Sequence, residues 1–308
     1  MAQRDEFSLI EDIRRRAVVS DRTLVGIGDD AALLSVTGTD GVLVTLDVLT
    51  EGVHFDLEVS RPQAVGRKAL AVNLSDIAAM AGRPTAAVVG LVLPRDRGAR
   101  LADSLMEGMF DIAAEFGVDL IGGDTNTWDG LLVVSVTLLG EPSERGVVKR
   151  SGARAGDWVL VTGALGGSFQ GRHLTFQPRV QEALALHAAA DLHAMIDLSD
   201  GLASDARHLA RESGVGLIID ARAVPIHEDV DGSLTDEARL ERALCDGEDF
   251  ELLLTVSEED GRRLLERPPI EIHLSQIGEV TGEPGCRIRR DGGRIEPLPT
   301  GGWVHGFD

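Results

Sequence analysis

The sequence predicts an α/β (α+β) protein with two domains. Short runs rich in Val, Leu and Ile, typical of strands, alternate with segments whose apolar residues recur at helical spacing. A stretch rich in Arg, Glu, Ser and Gly over residues 140–156 interrupts this alternation, as a linker does. The length of 308 residues suits one large or two ordinary domains. We therefore expect domains over residues 1–145 and 146–308, with the boundary near Gly146.

The chain first presents a strand, a helix and a second strand. Residues 41–47 form a β-rich run that begins at a glycine and ends in Asp47. The next segment opens with Pro62, which suits the first turn of a helix, and is expected to end near residues 82–84. The apolar residues 86–93 predict the second strand.

A second helix and two strands complete the first half. Apolar residues from Leu101 to Phe116 form one stripe at helical spacing, and Gly117 supplies a C-terminal stop. Residues 118–121 and 131–139 are the predicted strands.

The second half repeats the mixed pattern. Residues 158–162, 215–220 and 250–256 are predicted strands. Residues 202–211 are a predicted helix that stops near Gly214. The two halves therefore share one fold class.

Composition excludes several classes of function. The formal net charge of −21 and the pI near 4.7 exclude binding to nucleic acid through its phosphates. The longest apolar runs are shorter than the roughly 18–20 residues that span a bilayer, and the N-terminus lacks the apolar core of a secretory signal. Only two cysteines are present, without metal-ligand spacing. We expect a cytoplasmic protein without disulfides, zinc or membrane contact.

Carboxylates recur beside glycines or at predicted strand ends, in six separate clusters. The clusters contain Asp29 and Asp30, Asp47, Asp76, Asp124, Asp197 and Asp200, and Glu248 and Asp249. Taken singly, most have an ordinary alternative interpretation as a polar turn or a helix cap.

Asp76 is the hardest of these to explain as structural. It lies inside the almost wholly apolar helix segment AVNLSDIAAMA, where an unpaired carboxylate costs several kcal/mol unless a cation or donors compensate it. Capping of the following helix explains one of Asp197 and Asp200, but not both. These positions favour a functional role.

The clusters together suit a hard cation. Carboxylate oxygens are the ligands that Mg²⁺ prefers, usually alongside substrate phosphates, so the pattern favours nucleotide phosphoryl chemistry. No Walker motif is present, and the glycine-rich residues 163–171 contain no lysine. A P-loop kinase is therefore excluded.

The motifs resemble those of the thiamine-monophosphate kinase family, in the superfamily that includes aminoimidazole ribonucleotide synthetase. Eight strings occur in the family's order: GIGDDAALL (26–34), TLDVLTEGVHF (45–55), KALAVNLSDIAAMAGRP (68–84), IGGDT (121–125), RSGARAGDWVLVTG (150–163), IDLSDGLASD (196–205), GEDFELL (247–253) and GFD (306–308). The resemblance implies an N-terminal α/β domain that pairs its sheet with that of a second subunit, and a C-terminal α+β domain.

The resemblance also implies ligands and site residues. ATP is the co-substrate, thiamine monophosphate the acceptor, and several Mg²⁺ ions lie between them in a homodimer. The implied metal ligands are Asp30, Thr45, Leu46, Asp47, Asp76, Asp124, Asp197 and Asp200. The implied ATP contacts are Phe116, Gly123, Asp124, Arg150 and Ser199. The implied contacts to thiamine monophosphate are His54, Glu248 and Phe307.

Three features depart from the family's pattern. Leu46 replaces a residue that is often polar, which is harmless if its carbonyl is the ligand. Phe307 replaces a frequent tyrosine, so stacking is retained and a phenolic hydrogen bond is lost. The segment 163–178 is shorter than usual, which puts local contacts to thiamine or nucleotide in doubt.

The implied reaction is direct in-line transfer of the γ-phosphoryl group of ATP to thiamine monophosphate, giving thiamine diphosphate. The acceptor phosphate is already largely ionised, so no catalytic general base is required, and alignment and charge neutralisation are what the protein supplies. The alternatives are another ATP-using enzyme of the superfamily and a non-catalytic nucleotide-binding paralogue. The shortened segment 163–178 is the only feature that favours the paralogue.

Overall fold

The structure is a computed structural model that describes residues 6–17 and 20–302. The helices in this part of the chain are α1 Glu6–Arg16, α2 Pro62–Ala79, α3 Gly98–Phe116, α4 Val180–Ala189, α5 Leu202–Ser213, α6 Asp236–Cys245 and α7 Glu258–Glu266. The strands are β1 Thr23–Val25, β2 Ala32–Leu34, β3 Val42–Thr50, β4 Gly82–Pro94, β5 Asp119–Trp128, β6 Val133–Pro142, β7 Trp158–Thr162, β8 Leu192–Asp197, β9 Gly216–Asp220, β10 Leu252–Val256, β11 Leu274–Thr281, β12 Gly285–Arg289 and β13 Ile295–Pro297.

Two sheets divide the fold. The first has the strand order β1-β2-β3-β6-β4-β5, and the second has the order β13-β12-β9-β11-β7-β10-β8. Helices α2 and α3 pack on one face of the first sheet, and α5 packs on the second sheet and against α6. Both sheets are mixed, with β4–β5 and β9–β12 as parallel pairs. The predicted α/β (α+β) class is confirmed.

Helix α2 lies at the centre of the molecule. It contacts strands of the first sheet and also α4 and β8 of the second half. Its residues are buried on nearly every side, because the segment is apolar or small all round rather than along one stripe. A charged side chain on α2 therefore has to find its partners inside the protein.

Several predicted elements are confirmed at or near their boundaries. Strand β7 has the predicted limits, and α3 carries the predicted apolar stripe. Gly117 and Gly214 end α3 and α5 in the left-handed conformation, with φ of 66° and 69°. Glycine adopts this conformation without the steric cost that a side chain incurs, so it is a common helix stop.

Two predicted strand ends are wrong. Strand β3 continues past Asp47 to Thr50, and β5 continues past Asp124 to Trp128. Hydrogen bonds to a neighbouring strand sustain both extensions, because β3 pairs with β6 and β5 pairs with β4 along their length. Glycine and aspartate are typical of turns, but here Asp47, Gly122, Gly123 and Asp124 lie within strands.

Two other boundaries also differ from the prediction. Helix α2 ends at Ala79 rather than near residues 82–84, and β4 begins at Gly82 rather than at residue 86. Elements that were not predicted include α1, α4, α6, α7 and β8. No helix among the described residues is long and apolar enough to cross a membrane.

Candidate active site

A cavity of about 450 Å³ is lined by residues from both halves of the chain. This volume is in the range of sites for small ligands and cofactors. Most of the predicted site residues contribute to the lining: Asp30, Thr45, Leu46, Asp47, His54, Asp76, Arg150, Ser199, Asp200 and Glu248.

Carboxylates crowd one end of the cavity. Asp76 of α2, Asp197 at the end of β8 and Asp30 before β2 have oxygen atoms within 4.8 Å of one another. The Thr45 hydroxyl donates a hydrogen bond to Asp76, and the Ser75 hydroxyl donates to Asp197 Oδ2 at 2.6 Å. Helix α2 is thus joined to both sheets at this point.

The electrostatics of this cluster oppose ionisation of its carboxyl groups. Burial raises the pKa of Asp47 to about 6. Burial, together with the charges of Asp47, Asp197 and Asp30, raises the pKa of Asp76 well above its usual range. Burial and the charge of Asp30 do the same to the pKa of Asp197. A bound cation would relieve this repulsion, because it favours the ionised form of each group.

Arg150 occupies part of this negative field. Its guanidinium donates to both oxygens of Asp30, at 2.7 and 2.9 Å, and its backbone N–H donates to Asp29 Oδ1 at 2.6 Å. The charge of Asp30 raises the pKa of Arg150 further above its already high value, against the effect of burial. A paired guanidinium beside a carboxylate cluster is well placed to bind a polyphosphate.

A second acidic group lies at the start of α5. Oxygen or nitrogen atoms of Asp200, Asp205 and His208 lie within 4.8 Å of one another. The Asp200 backbone N–H donates to Asp205 Oδ2 at 3.1 Å. Burial, with the charges of Asp200 and Asp197, raises the pKa of Asp205 well above its usual range, and burial beside Arg150 lowers the pKa of His208 to about 4.

The donor set of the carboxylate end fits Mg²⁺. Carboxylate and hydroxyl oxygens predominate, and Asp30, Asp76 and Asp197 are close enough to share ions. The backbone of β3 also faces this region, because β2 pairs only with residues 42–44. Within residues 6–17 and 20–302, no other strand pairs with the segment around Leu46 on that side. The Leu46 side chain is a hydrocarbon, so the backbone carbonyl is the only oxygen that this residue could contribute.

The other end of the cavity contains a buried ion pair. Lys68 of α2 is fully buried, and its ammonium donates to both carboxylate oxygens of Glu248 at 2.7 Å. His54 lies beside this pair: its carbonyl accepts from Lys68 at 2.7 Å, and its Nδ1 accepts from the Thr50 backbone N–H at 3.0 Å. Two predicted contacts to the acceptor, His54 and Glu248, are thus brought together.

The shortened segment 163–178 is folded onto the GEDFELL motif. The backbone N–H of Gly166 donates to both oxygens of Asp249, at 2.9 and 3.0 Å, and the Ser168 hydroxyl donates to the Gly247 carbonyl at 2.8 Å. Phe169 of this segment lines the cavity and is 46% exposed. The segment therefore contributes an aromatic side chain to the end of the cavity that contains Glu248.

Three predicted residues lie away from the cavity. Phe116 ends α3 and packs against the core of the first half. Gly123 and Asp124 lie in β5, at the opposite edge of the first sheet from the free side of β3, three strand spacings or about 14 Å away. The pairing register places the Asp124 side chain on the sheet face opposite to Asp47. Phe307 lies outside the described residues.

The sequence analysis missed Lys68, Asp205 and His173 as site residues. Lys68 had a readable signal, because it is a charged residue in the same apolar helix that drew attention to Asp76. His173 lies 3.0 Å from both Lys68 Nζ and Glu248 Oε2, and only the fold places these three residues together.

Comparisons with known proteins agree on one family. Residues 28–141 match the N-terminal domain, and residues 147–291 the C-terminal domain, of AIR synthase related proteins. The thiamine-monophosphate kinase of Rhodopirellula baltica is 36% identical over 310 residues, which cover 98% of this chain and 97% of that protein. The thiamine-monophosphate kinase of Bacillus subtilis is 38% identical, over 92% of this chain and 94% of that protein.

A solved structure supports the same assignment. The structure described as AaThiL complexed with AMPPCP and TMP is 31% identical to this chain, with a TM-score of 0.83. The match covers 98% of this chain and 97% of that one. Coverage at this level extends through both halves of the chain. The chain belongs to the thiamine-monophosphate kinases, a family built from the two domains of AIR synthase related proteins.

Proposed function

We propose that this protein transfers the γ-phosphoryl group of ATP directly to thiamine monophosphate, giving thiamine diphosphate and ADP. The observation that carries the proposal is a single cavity that joins the carboxylate cluster around Asp76 to the acceptor end at Glu248. The relative described as complexed with AMPPCP, an ATP analogue, and TMP supports the same pair of ligands.

The carboxylate end is the metal site in this proposal. Asp30, Thr45, Leu46 through its carbonyl, Asp47, Asp76, Asp197 and Asp200 hold Mg²⁺. When bound, Mg²⁺ neutralises phosphate charge and orients the transferred group. Arg150 and Ser199 bind the nucleotide, and Arg150 shares its guanidinium between Asp30 and a phosphate. His54, Glu248 and Phe307 bind the acceptor, whose ionised phosphate needs no general base.

A second copy of the chain completes the assembly in this proposal. Leu46 and Val48 of β3 share the outer face of the first sheet with Val88 of β4, and the three side chains are 58%, 48% and 39% exposed. Asp124 lies on the same face, through its pairing with Gly90. Burial of this apolar face in a homodimer would remove it from water. It would also bring Gly123 and Asp124 toward ligands that they cannot reach within one chain.

Two further assignments belong to the proposal. The domains cover residues 1–145 and 146–308, with one sheet in each. The protein acts in the cytoplasm, where its two free cysteines, Cys245 and Cys286, stay reduced.

The direct test is ADP release by the purified protein with Mg-ATP, with and without thiamine monophosphate, and with chromatographic detection of thiamine diphosphate. We expect ADP and thiamine diphosphate in equal amounts, and only when the acceptor is present. ADP formation with another acceptor would favour a sister enzyme of the superfamily. Binding of thiamine monophosphate without turnover would favour a non-catalytic paralogue.

A further inference from the structure

Lys68 is a lysine without access to solvent, and its ammonium is fully engaged within the protein. Its Nζ donates to Oε1 and Oε2 of Glu248 and to the His54 carbonyl, each at 2.7 Å, and lies 3.0 Å from His173 Nδ1. An ammonium has three N–H donors, and the two Glu248 oxygens and the His54 carbonyl account for all three. Lys68 is therefore built to act on its neighbours rather than to contact a ligand.

Lys68 and Glu248 both line the cavity, but only Glu248 exposes part of its side chain to a ligand there. Its side chain lines the cavity and remains 14% exposed, whereas that of Lys68 is 0% exposed. Its backbone has a φ of 53°, a conformation that is strained for a glutamate, and its N–H donates to the Ser199 carbonyl at 2.7 Å. Burial raises the pKa of Glu248, but a hydrogen bond from His173 and the charge of Lys68 outweigh it and hold this pKa below its usual range.

The position of Lys68 on α2 relates the two ends of the cavity. Lys68, Val72 and Asp76 follow one another at four-residue intervals and all line it. A helical rise of about 1.5 Å per residue separates the first and last of them by about 12 Å. One rigid, buried helix therefore sets the distance between the carboxylate cluster and Glu248.

We propose that Lys68 is a positioning residue for the acceptor. Its ammonium holds Glu248 as a carboxylate in a fixed orientation, and Glu248 accepts a hydrogen bond from the thiamine portion of the acceptor. An ionised carboxylate only accepts hydrogen bonds, so this end of the cavity selects a ligand that presents a donor or a positive charge. This inference rests on the proposed function. It adds to that function the role of Lys68, a residue that does not itself contact the acceptor.

Steady-state kinetics of Lys68→Met test the proposal. Methionine fills a similar volume without the charge and leaves His173 as the remaining side-chain partner of Glu248. We expect the KM for thiamine monophosphate to rise at least about tenfold, while kcat and the KM for Mg-ATP change less than about threefold. Glu248→Gln and the double variant complete a cycle. The double variant should match Glu248→Gln alone within about twofold, because Lys68 acts through Glu248.

Arg179→Met is the matched control. Arg179 forms a largely buried ion pair with Glu251 of the same motif, at 2.5 and 2.8 Å, and is not part of the cavity lining. We expect this variant to unfold more easily and to keep its KM for thiamine monophosphate within about twofold.

Three outcomes would overturn the proposal. They are an unchanged KM for thiamine monophosphate in Lys68→Met, an equal rise in Arg179→Met, and a double variant about tenfold worse than Glu248→Gln. The comparison of the double variant with Glu248→Gln does not use the single variant Lys68→Met. It therefore still tests the proposal if that single variant fails to fold. If the wild type does not turn over at all, the proposed function fails alone. Calorimetric binding of thiamine monophosphate to the wild type, Glu248→Gln and the double variant then tests Lys68.

Discussion

Asp76 combines burial, three acidic neighbours and one hydroxyl donor, Thr45. In the absence of a cation, the folded protein disfavours its ionised form, since burial and the neighbouring charges both raise its pKa. The residue therefore contributes little to folding by itself. Its position is explained by a cation that several carboxylates share.

Asp76→Asn should abolish most of the turnover and leave the fold intact. We expect kcat to fall at least about a hundredfold, because the amide removes one charge from the metal site. The free energy of unfolding without Mg²⁺ should stay equal or rise, because repulsion among the carboxylates decreases. ADP release and denaturant unfolding measure the two effects. Asp129→Asn, which breaks only an exposed pair with Arg95, is the control. Full activity of Asp76→Asn would remove Asp76 from the metal ligands.

Asp249 should make the stability of the protein depend on pH. Burial raises its pKa to about 7, although the Gly166 N–H and Arg172 oppose the shift. Between its ordinary pKa of 3.8 and 7, the folded state binds more protons at this site than the unfolded state. The stability that Asp249 contributes is therefore complete below about pH 4 and is lost as the pH rises to about 7.

Comparison with Asp249→Asn measures this contribution. Because asparagine does not titrate, the free energy of unfolding of the variant minus that of the wild type should rise by on the order of 2–4 kcal/mol from pH 4 to 7. It should be constant above about pH 7.5. Urea unfolding at a series of pH values gives this difference, and a pH-independent difference would contradict the assignment.

At the scale of elements, α2 and α3 approach each other through two glycines. A Cβ atom on Gly66 would lie 1.9 Å from the Leu105 carbonyl oxygen, and one on Gly108 would lie 1.8 Å from the Gln63 carbonyl oxygen. Neither contact involves a flexible side chain that could move aside. The close packing fixes α2, which carries Lys68 and Asp76, against α3.

Gly108→Ala should destabilise the protein although alanine favours helices. Alanine gains about 1 kcal/mol of helix propensity, but the clash with Gln63 forces the helices apart, and we expect a net loss of about 1–3 kcal/mol. Gly98→Ala is the matched control, because its Cβ would lie 3.4 Å from Leu93 Cβ, an ordinary contact distance. Its stability should change by less than about 1 kcal/mol. Equal stability of the two variants in urea would show that the helices can separate without cost.

At the scale of the whole molecule, the proposed dimer predicts a change of oligomeric state. Val88→Glu introduces a charge on the outer face of the first sheet, so this variant should sediment as a monomer and lose activity at assay concentration. Val59→Glu is the control, because Val59 is 83% exposed in the loop before α2 and is not part of the first sheet. Analytical ultracentrifugation at micromolar protein concentration distinguishes the monomer from the dimer. A monomeric wild type, or a dimeric Val88→Glu variant, would refute this face as the interface.

Local patterns were sufficient for much of the fold. The apolar stripe of α3, its stop at Gly117 and the strand β7 are properties of neighbouring residues, so the sequence predicts them correctly. Asp76 could be identified for a similar reason, since a carboxylate inside an apolar helix is anomalous wherever that helix packs. Helices α4, α6 and α7 were not predicted. Helices α6 and α7 begin with a capping hydroxyl, from Thr235 and Ser257, that could have indicated their starts, whereas α4 has no side-chain cap.

The sequence by itself determined the fold class, the family resemblance and most of the carboxylates around the cavity, because these depend on residue type and local order. Only the tertiary structure paired Arg150 with Asp30 and Lys68 with Glu248, across 120 and 180 residues. It also placed Asp124 on the sheet face opposite to Asp47. Charge pairing and strand face are decided by which segments pack together, and a linear pattern does not contain that information.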